Sequence, residues 1–265
     1  MRFVAAALTL ALLSGCASTK PGEERLAAQD PLEGFNRGVW AFNDAADTVL
    51  IKPTTTVYRT VTPKPARRGL SRLLSNLSEP FSAINNVLQG KPDRAGRNLE
   101  RFLINSTIGV GGLADHASDF GLEPAEEDFG QTLASWGANG GPYLVLPLLG
   151  PSTLRDGVGS GVGMLANPYR VAIRESNVSN TVKLGETAAE IIIIRSDLVD
   201  SGADTFLETS LDPYAAARSA YLQRRYAQIR DIENDPTGNA VDELPAESSF
   251  DDVSGGAAAD TGTAN

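Results

Sequence analysis

The sequence predicts an all-α fold with at most one small β-hairpin. Three observations carry this reading. Apolar residues recur at three- and four-residue spacing along several segments, Pro and Gly punctuate the intervals between them, and alternating strand patterns are scarcely present.

The elements follow in order. In "DPLEGFNRGVWAFNDAADTVL" Asp30 is placed to cap a helix, Pro31 suits a first turn and Glu33 stands at the capping-box position. Leu32, Phe35, Val39, Phe42, Ala46 and Val49 make one face of that helix. Residues 52–65, with Pro53, Pro63 and Pro65, read as an extended connector. Residues 66–77 and 80–90 read as two short helices parted by Pro80, the second closed by Gly90. The clearest amphipathic helix is 93–109, with Leu99, Phe102, Leu103 and Ile108 on one side and Arg94, Arg97, Arg101 and Asn105 on the other. Shorter helices are expected around 112–118 and 128–136. In "STLRDGVGSGVGM" Ser152 is a candidate cap. The glycines at 157, 159, 161 and 163 have small-xxx-small spacing for close helix packing, and a flexible glycine loop is the alternative. Residues 181–195 read as a helix despite four consecutive isoleucines. Residues 212–230 form another, with Asp212 as cap and Pro213 at its first position.

The two ends differ from the body. Arg2 and the apolar run from Phe3 to Leu13 have the make-up of a secretory signal, too short to span a bilayer. The run ends in Leu13-Ser14-Gly15-Cys16, a bacterial lipobox pattern that makes Cys16 the acylated residue. Residues 1–15 are then the signal peptide and 16–29 an acylated tether. The absence of Asp after Cys16 points to the outer membrane, anchored on its periplasmic side. Residues 231–265 hold nine acidic side chains and no Lys or Arg, in a Gly-, Ala- and Ser-rich context that predicts a disordered tail. The domain proper is 30–230. Residues 17–230 carry 22 of the 23 basic and 24 of the 33 acidic residues, so the body is near neutral and gives no reason to expect nucleic acid.

Several chemistries are excluded or weak. Cys16 is the single cysteine, so disulfides, thiolate catalysis and zinc–cysteine sites are not available, and one histidine leaves little for a metal. No cofactor is expected. "GVGGLA" at 109–114 matches a relaxed dinucleotide fingerprint but follows a helix and opens no βαβ series. No G-x-S-x-G elbow is present. His116 with Asp115 and Asp119 is the only candidate for an envelope hydrolase, against a plain polar helix face. Arg67, Arg68, Arg72, Arg94, Arg97 and Arg101 suit anionic headgroups, partner carboxylates or a solvated face. Trp40, Trp136, Tyr143, Tyr214 and Tyr221 suit either a membrane boundary or a core.

The segment "GPYLVLPLLGPSTLRDG", 141–157, is apolar, bracketed by Gly141 and Gly150, and interrupted by Pro147. It is too short to span a bilayer and too proline-rich for a regular helix. No stretch of the mature chain reaches 18 unbroken apolar residues.

"DPLEGFNR" (30–37), "LQG" (88–90), "RFLINSTIGVGGLADHA" (101–117), "DFGQTLASWG" (128–137) and "GPYLVLPLLGPSTLRDG" together resemble the VacJ/MlaA family of outer-membrane lipoproteins. The resemblance runs from about Asp30 to Arg230. It implies a ring of short amphipathic helices lying mostly horizontal in the membrane around a central channel. It also implies trimeric porins as neighbours, passage of misplaced phospholipids, a periplasmic carrier protein, and indirectly an inner-membrane ABC transporter complex. It implies lipid transport without catalysis, the alternatives being a porin-associated scaffold and the His116 hydrolase. On this reading Pro142, Tyr143, Leu144, Val145, Leu146, Pro147, Leu148 and Leu149 are expected to form the channel wall or a gate. Asn36, Phe42, Asn43 and Asp44 are candidates for gating, and Arg94, Arg97 and Arg101 for headgroup or partner contact.

Overall fold

The computed structural model describes residues 29–231. Cys16, the signal 1–15 and the acidic stretch 232–265 lie outside the described residues. The fold is helical with one two-stranded antiparallel sheet.

Helix α1 is Glu33–Ala46; a π turn, Asp47–Ile51, joins it without a break to α2, Lys52–Val61. The extended connector expected at 52–65 is therefore corrected. Pro53 lacks an N–H and would press on the carbonyl four residues before it. The wider turn, closed by Lys52 N–H donating to Asp47 O, lets the helix run through. The break falls at Thr62, held extended (ψ 114) because Pro63 follows it. Asp30 is also corrected: it is buried and does not cap, and α1 starts at Glu33 with no side-chain cap.

Helix α3, Lys64–Leu88, is continuous, so the two short helices expected on either side of Pro80 are one. Polar packing on α4, Pro92–Thr107, holds the helix across the proline. Glu79 accepts from Arg101 Nε at 2.8 Å and Asn98 Nδ2 at 2.6 Å, Asn98 Oδ1 accepts from Asn86 at 2.8 Å, and Asn76 donates to Ser106 at 3.0 Å. One-turn α5, His116–Asp119, is tied in by Asp115, which accepts from Arg101, Asn105 and Ser118.

Helix α6, Phe129–Ser135, has a full capping box between Asp128 and Gln131. Strands β1, Tyr143–Leu146, and β2, Gly150–Thr153, form the hairpin. Helix α7, Leu154–Ala166, is capped by Thr153, not Ser152, and the glycine run is helical. Its tight packing is specific: a Cβ on Gly159 would lie 2.4 Å from the Gly130 backbone nitrogen, whereas one on Gly161 would meet nothing within 4 Å. Helix α8, Pro168–Glu175, and α10, Ala203–Thr209, were not legible as elements, although Asn167-Pro168 is a cap-plus-proline start. Helices α9, Asn180–Asp200, and α11, Pro213–Ile229, cover the two C-terminal segments expected to be helical, and Asp212 caps α11.

The packing runs in a closed circuit, the ring expected: α1 on β1, the hairpin on α7, α7 on α6, α6 on α3, α3 on α9, and α9 back on α2. Helix α11 leans on β2 and α6 and returns the chain to its start. There Tyr214 and Arg218 donate to Asp30, and Arg37 pairs with Asp212 at 2.6 Å.

Burial is inverted relative to a water-soluble domain. Buried polar and charged side chains outnumber buried apolar ones, and a long series of large apolar residues is exposed. On α1 and the π turn, Phe35 is 62 %, Phe42 56 % and Val49 79 % exposed, while Asn36 is fully buried. Among the described residues no helix is long and apolar enough to cross a membrane.

Two stability outcomes follow. Gly159→Ala drives backbone into backbone and is expected to cost at least about 2 kcal/mol, whereas Gly161→Ala should gain about 1 kcal/mol from helix propensity. Urea unfolding in detergent measures both. Burial alone would raise the Asp115 carboxyl, but hydrogen bonds from Ser118, Asn105 and Arg101 hold it at about 2. Its stabilisation, reduced by solvent screening at this partly exposed site, is therefore complete above pH ~4 and lost as pH falls toward 2. Asp115→Asn should flatten the stability profile in that window.

Candidate functional site

The hairpin is held from one side by two asparagines of α1. Asn36 Nδ2 donates to the Tyr143 carbonyl at 2.9 Å, and its Oδ1 accepts the Val145 N–H at 3.0 Å. One heptad on, Asn43 Nδ2 donates to the Leu146 carbonyl at 2.9 Å and its Oδ1 accepts from Leu148 N–H at 2.8 Å. Each amide thus does what a neighbouring strand would do, and β1 has a helix's side chains as its second partner. Asn36 is itself oriented by a hydrogen bond to Asp30, at 2.8 Å.

The strand pairing sets Tyr143 against Thr153 and Leu146 against Gly150. Pro147, Leu148 and Leu149 are the turn, so Pro147 interrupts no strand. Pro151 lies in β2, opposite Val145, where an edge position tolerates a missing N–H. Gly141 (φ 71) and Gly150 (φ 80) take the left-handed conformations that bracketing glycines permit. Leu148, at φ 62, does so without being glycine, and Asn43 holds the backbone on both sides of Pro147, immediately ahead of it.

Side chains alternate along β1. Tyr143 and Val145 are buried; Leu144 and Leu146 are half-buried, and Leu148 and Leu149 at the tip are exposed. Tyr143 packs edge-on against Tyr214 at 6.1 Å and tilted against Tyr221 at 6.2 Å, with Trp40 on Tyr214 at 6.0 Å. These four aromatics are core. Trp136 is 55 % exposed, its indole N–H donating to Leu88 O. Burial, then the nearby Asp30 charge, pushes the Tyr143 phenol up.

Beneath the hairpin lies a buried ion node. Asp156 accepts from Arg155, Arg225, Tyr221 and Thr153, and Arg225 reaches on to Asp128 at 2.7 Å. Burial would raise the Asp156 carboxyl, but the charges of Arg225 and Arg155 hold it well below the usual carboxylate range.

A cavity of about 470 Å³ opens between α3, α8 and α9, with α4 and the 124–128 segment at its side. Leu74, Leu77, Phe81 and Ile194 give it an apolar side; Arg94, Glu127, Arg170, Glu190 and Asp231 give it a charged one, with the Gln131 amide among them. The charges are paired: Arg170 with Glu190 at 2.6 Å, and Arg94 with both Glu127 at 3.2 Å and Asp231 at 2.8 Å. Of the arginines singled out for headgroups, Arg94 lines this cavity. Arg97 is half-buried on the next turn, and Arg101 is turned inward onto Glu79 and Asp115. Residues 142–149 are not in its wall. Phe42 and Asp44 are exposed on α1. His116 is exposed on a single helical turn with Nδ1 3.0 Å from Asp119.

Large apolar side chains on the outside, polar side chains buried within, and an amphipathic cavity beside α3 define a helical protein whose outer surface calls for apolar cover. Comparison with known proteins narrows this class. Residues 28–228 match the family model described as MlaA lipoprotein. The chain is 39 % identical over 228 residues to the intermembrane phospholipid transport system lipoprotein MlaA of Escherichia coli (strain K12), covering 84 % of this chain and 87 % of that protein. It is 32 % identical to the protein of that name in Haemophilus influenzae, over 85 % of this chain and 89 % of the other. A solved structure described as the structural basis for maintenance of bacterial outer membrane lipid asymmetry superposes with a TM-score of 0.63 at 37 % identity, over 76 % of this chain and 98 % of that one. The chain belongs to the MlaA lipoprotein family.

Removing the clasp should separate its two ends. Asn36→Ala leaves a buried carbonyl and N–H unpaired and is expected to cost about 2–4 kcal/mol. Asn43→Ala at the exposed tip should cost about 1 kcal/mol, yet raise amide exchange at Leu148 while leaving Tyr143 protected.

Proposed function

We propose that this chain is a phospholipid transport lipoprotein of the outer membrane. It takes phospholipids from the outer leaflet through an amphipathic passage and passes them toward a periplasmic carrier, so maintaining lipid asymmetry. The observation that carries this is the pairing of an apolar exterior with a two-sided cavity. A phospholipid needs apolar cover for its chains, at about 0.8 kcal/mol per methylene, and polar company for its head. Leu74, Leu77, Phe81 and Ile194 offer the first, and the paired charges of Arg94, Glu127, Arg170 and Glu190 the second. Such paired charges solvate a zwitterion without trapping it, as a passage requires.

The exposed apolar residues of α1, the π turn and α2 seat the ring in lipid, with the acyl chains on Cys16 as the second anchor. The hairpin from Pro142 to Leu149, outside that cavity's lining, is a second wall of the passage: Leu144 and Leu146 are half-buried on one side, Leu148 and Leu149 lead at the tip, and Asn36 and Asn43 fix its position. Arg94 and Arg97 are the cations available to a headgroup. Trimeric porins hold the ring in place, and an inner-membrane ABC transporter complex accepts the lipid downstream of the carrier. No covalent bond is made or broken, and His116 has no catalytic role.

The test is the phospholipid content of the outer leaflet in a strain lacking the protein, complemented with variants at matched protein level. Leu74→Asp in the cavity and Leu149→Asp at the exposed hairpin tip should leave stray phospholipid in place. His116→Ala should restore asymmetry fully. Failure of the His116 variant with normal folding would favour a hydrolase; normal lipid content in both Asp variants would favour a scaffold.

A further inference from the structure

A second cavity, about 350 Å³, lies between α2, the start of α3 and the end of α9, and its character is opposite to the first. Its wall carries Lys52, Arg59, Lys64, Arg67 and Arg195 against one carboxylate, Asp204, with Thr55, Thr56 and Thr60 between them. Part of that charge is already answered from behind. Arg195 is held by Asp47 and Asp204, each at 2.8 Å, and Asp200 is shared by Arg59 at 2.8 Å and Arg67 at 3.2 Å. The rest is not. Lys64 has no partner among the described residues, and Lys52 has only Glu208, 3.7 Å away, with both side chains more than half exposed.

Two buried atoms of this wall add to the case. The hydroxyls of Thr54, Thr56 and Thr60 all donate to the carbonyl four residues back, at 2.7 or 2.8 Å. Thr55, 2 % exposed, does not, and its Oγ1 has no partner. Arg67, 6 % exposed, spends Nη1 and Nη2 on carbonyls and on Asp200 but leaves Nε without an acceptor. Buried donors are normally satisfied, so a hydroxyl and a guanidinium N–H left over in the wall of one cationic cavity, with the Tyr58 hydroxyl of α2 also unpaired, mark a wall short of acceptors.

We propose that this cavity binds a phosphate group, a phosphodiester or phosphomonoester oxyanion, through Lys64, Lys52, Thr55 and Arg67. Several acceptor oxygens around one centre match ammonium, guanidinium and hydroxyl donors converging from α2 and α3. The volume is at the small end for a ligand site and suits a phosphorylated headgroup, not acyl chains. The opposite face of α2 carries Val57 and Val61, 63 % and 72 % exposed, so an apolar environment lies one helix diameter away and a lipid is the nearer source of the phosphate. The site is separate from the larger cavity, and its assignment does not depend on lipid moving through that cavity.

The acylated full-length protein in detergent is titrated calorimetrically with inorganic phosphate and with dihexanoyl phosphatidylethanolamine, as wild type, Lys64→Gln and Thr55→Val. Saturable binding is expected, weakened about 10-fold by Lys64→Gln. Thr55→Val should weaken binding while raising the melting temperature, because it removes an unpaired buried hydroxyl. Tighter binding of the short-chain lipid assigns the phosphate to a headgroup, and equal binding assigns it to free phosphate; both support the site. No saturable binding of either probe, or wild-type binding in both variants, overturns it.

Discussion

Asp156 is the point on which the rest of the molecule leans. One buried carboxylate takes hydrogen bonds from Arg155 beside it, Tyr221 and Arg225 on α11, and Thr153 at the end of β2. Arg225 continues to Asp128, the cap of α6. The β2–α7 junction, α6 and α11, three places distant in sequence, are therefore positioned by one charge cluster. A buried ion cluster of this kind gains little over an apolar one of equal volume, but losing one member strands the others. It acts less as a store of stability than as a fixed reference for geometry. Tyr221, held there by its hydroxyl, turns its ring to Tyr143, and Tyr143 in turn sets β1 against the Asn36 clasp.

That arrangement makes sense only with the inverted burial. Inside a water-soluble domain, apolar area removed from water does most of the holding. Here the large apolar side chains of α1, α2 and α4 face outward, so the helices must hold one another by other means. Amides and ion pairs supply it: Asn86 to Asn98, Asn98 to Glu79, Glu79 to Arg101, Arg101 to Asp115. Hydrogen bonds of this sort are stronger and more directional away from water, and they specify one register between helices where greasy contacts would tolerate several. The same polarity puts paired charges and amides, not apolar side chains, between the helices.

The helices were legible where periodicity and caps agreed, as in 92–107 with its apolar stripe and 213–229 with Asp212 and Pro213. Proline misled twice, in opposite places. Pro53 and Pro80 both sit inside continuous helix, one accommodated by a π turn and one by polar packing along α3, and neither compensation has a local signature. The direction of each face was the harder matter. Period alone says that Phe35, Val39 and Phe42 share a side, but not whether that side meets protein or lipid. The family resemblance supplied the membrane. The site showed the same split: Asn36 and Asn43 stood out as polar residues in an apolar helix, but their partners lie more than 100 positions away, beyond the reach of any spacing rule.

The seven-residue interval between those asparagines decides how the hairpin can behave. Two turns of helix bring both amides to one side, and β1 advances by three residues between the carbonyls they hold, Tyr143 and Leu146. Helix and strand rises match over that distance, at roughly 10 Å each, so both grips close without strain. Beyond Leu146 they cease to match, and there the chain turns at Pro147 and the left-handed Leu148. The inner grip, buried with Asp30 and the tyrosines, cannot open without stranding polar groups. The outer grip, at an exposed apolar tip, exchanges its bonds with water at little cost. A hairpin fixed at one end and readily released at the other is the simplest mechanical consequence of this geometry, and it puts the movable end where Leu148 and Leu149 are exposed.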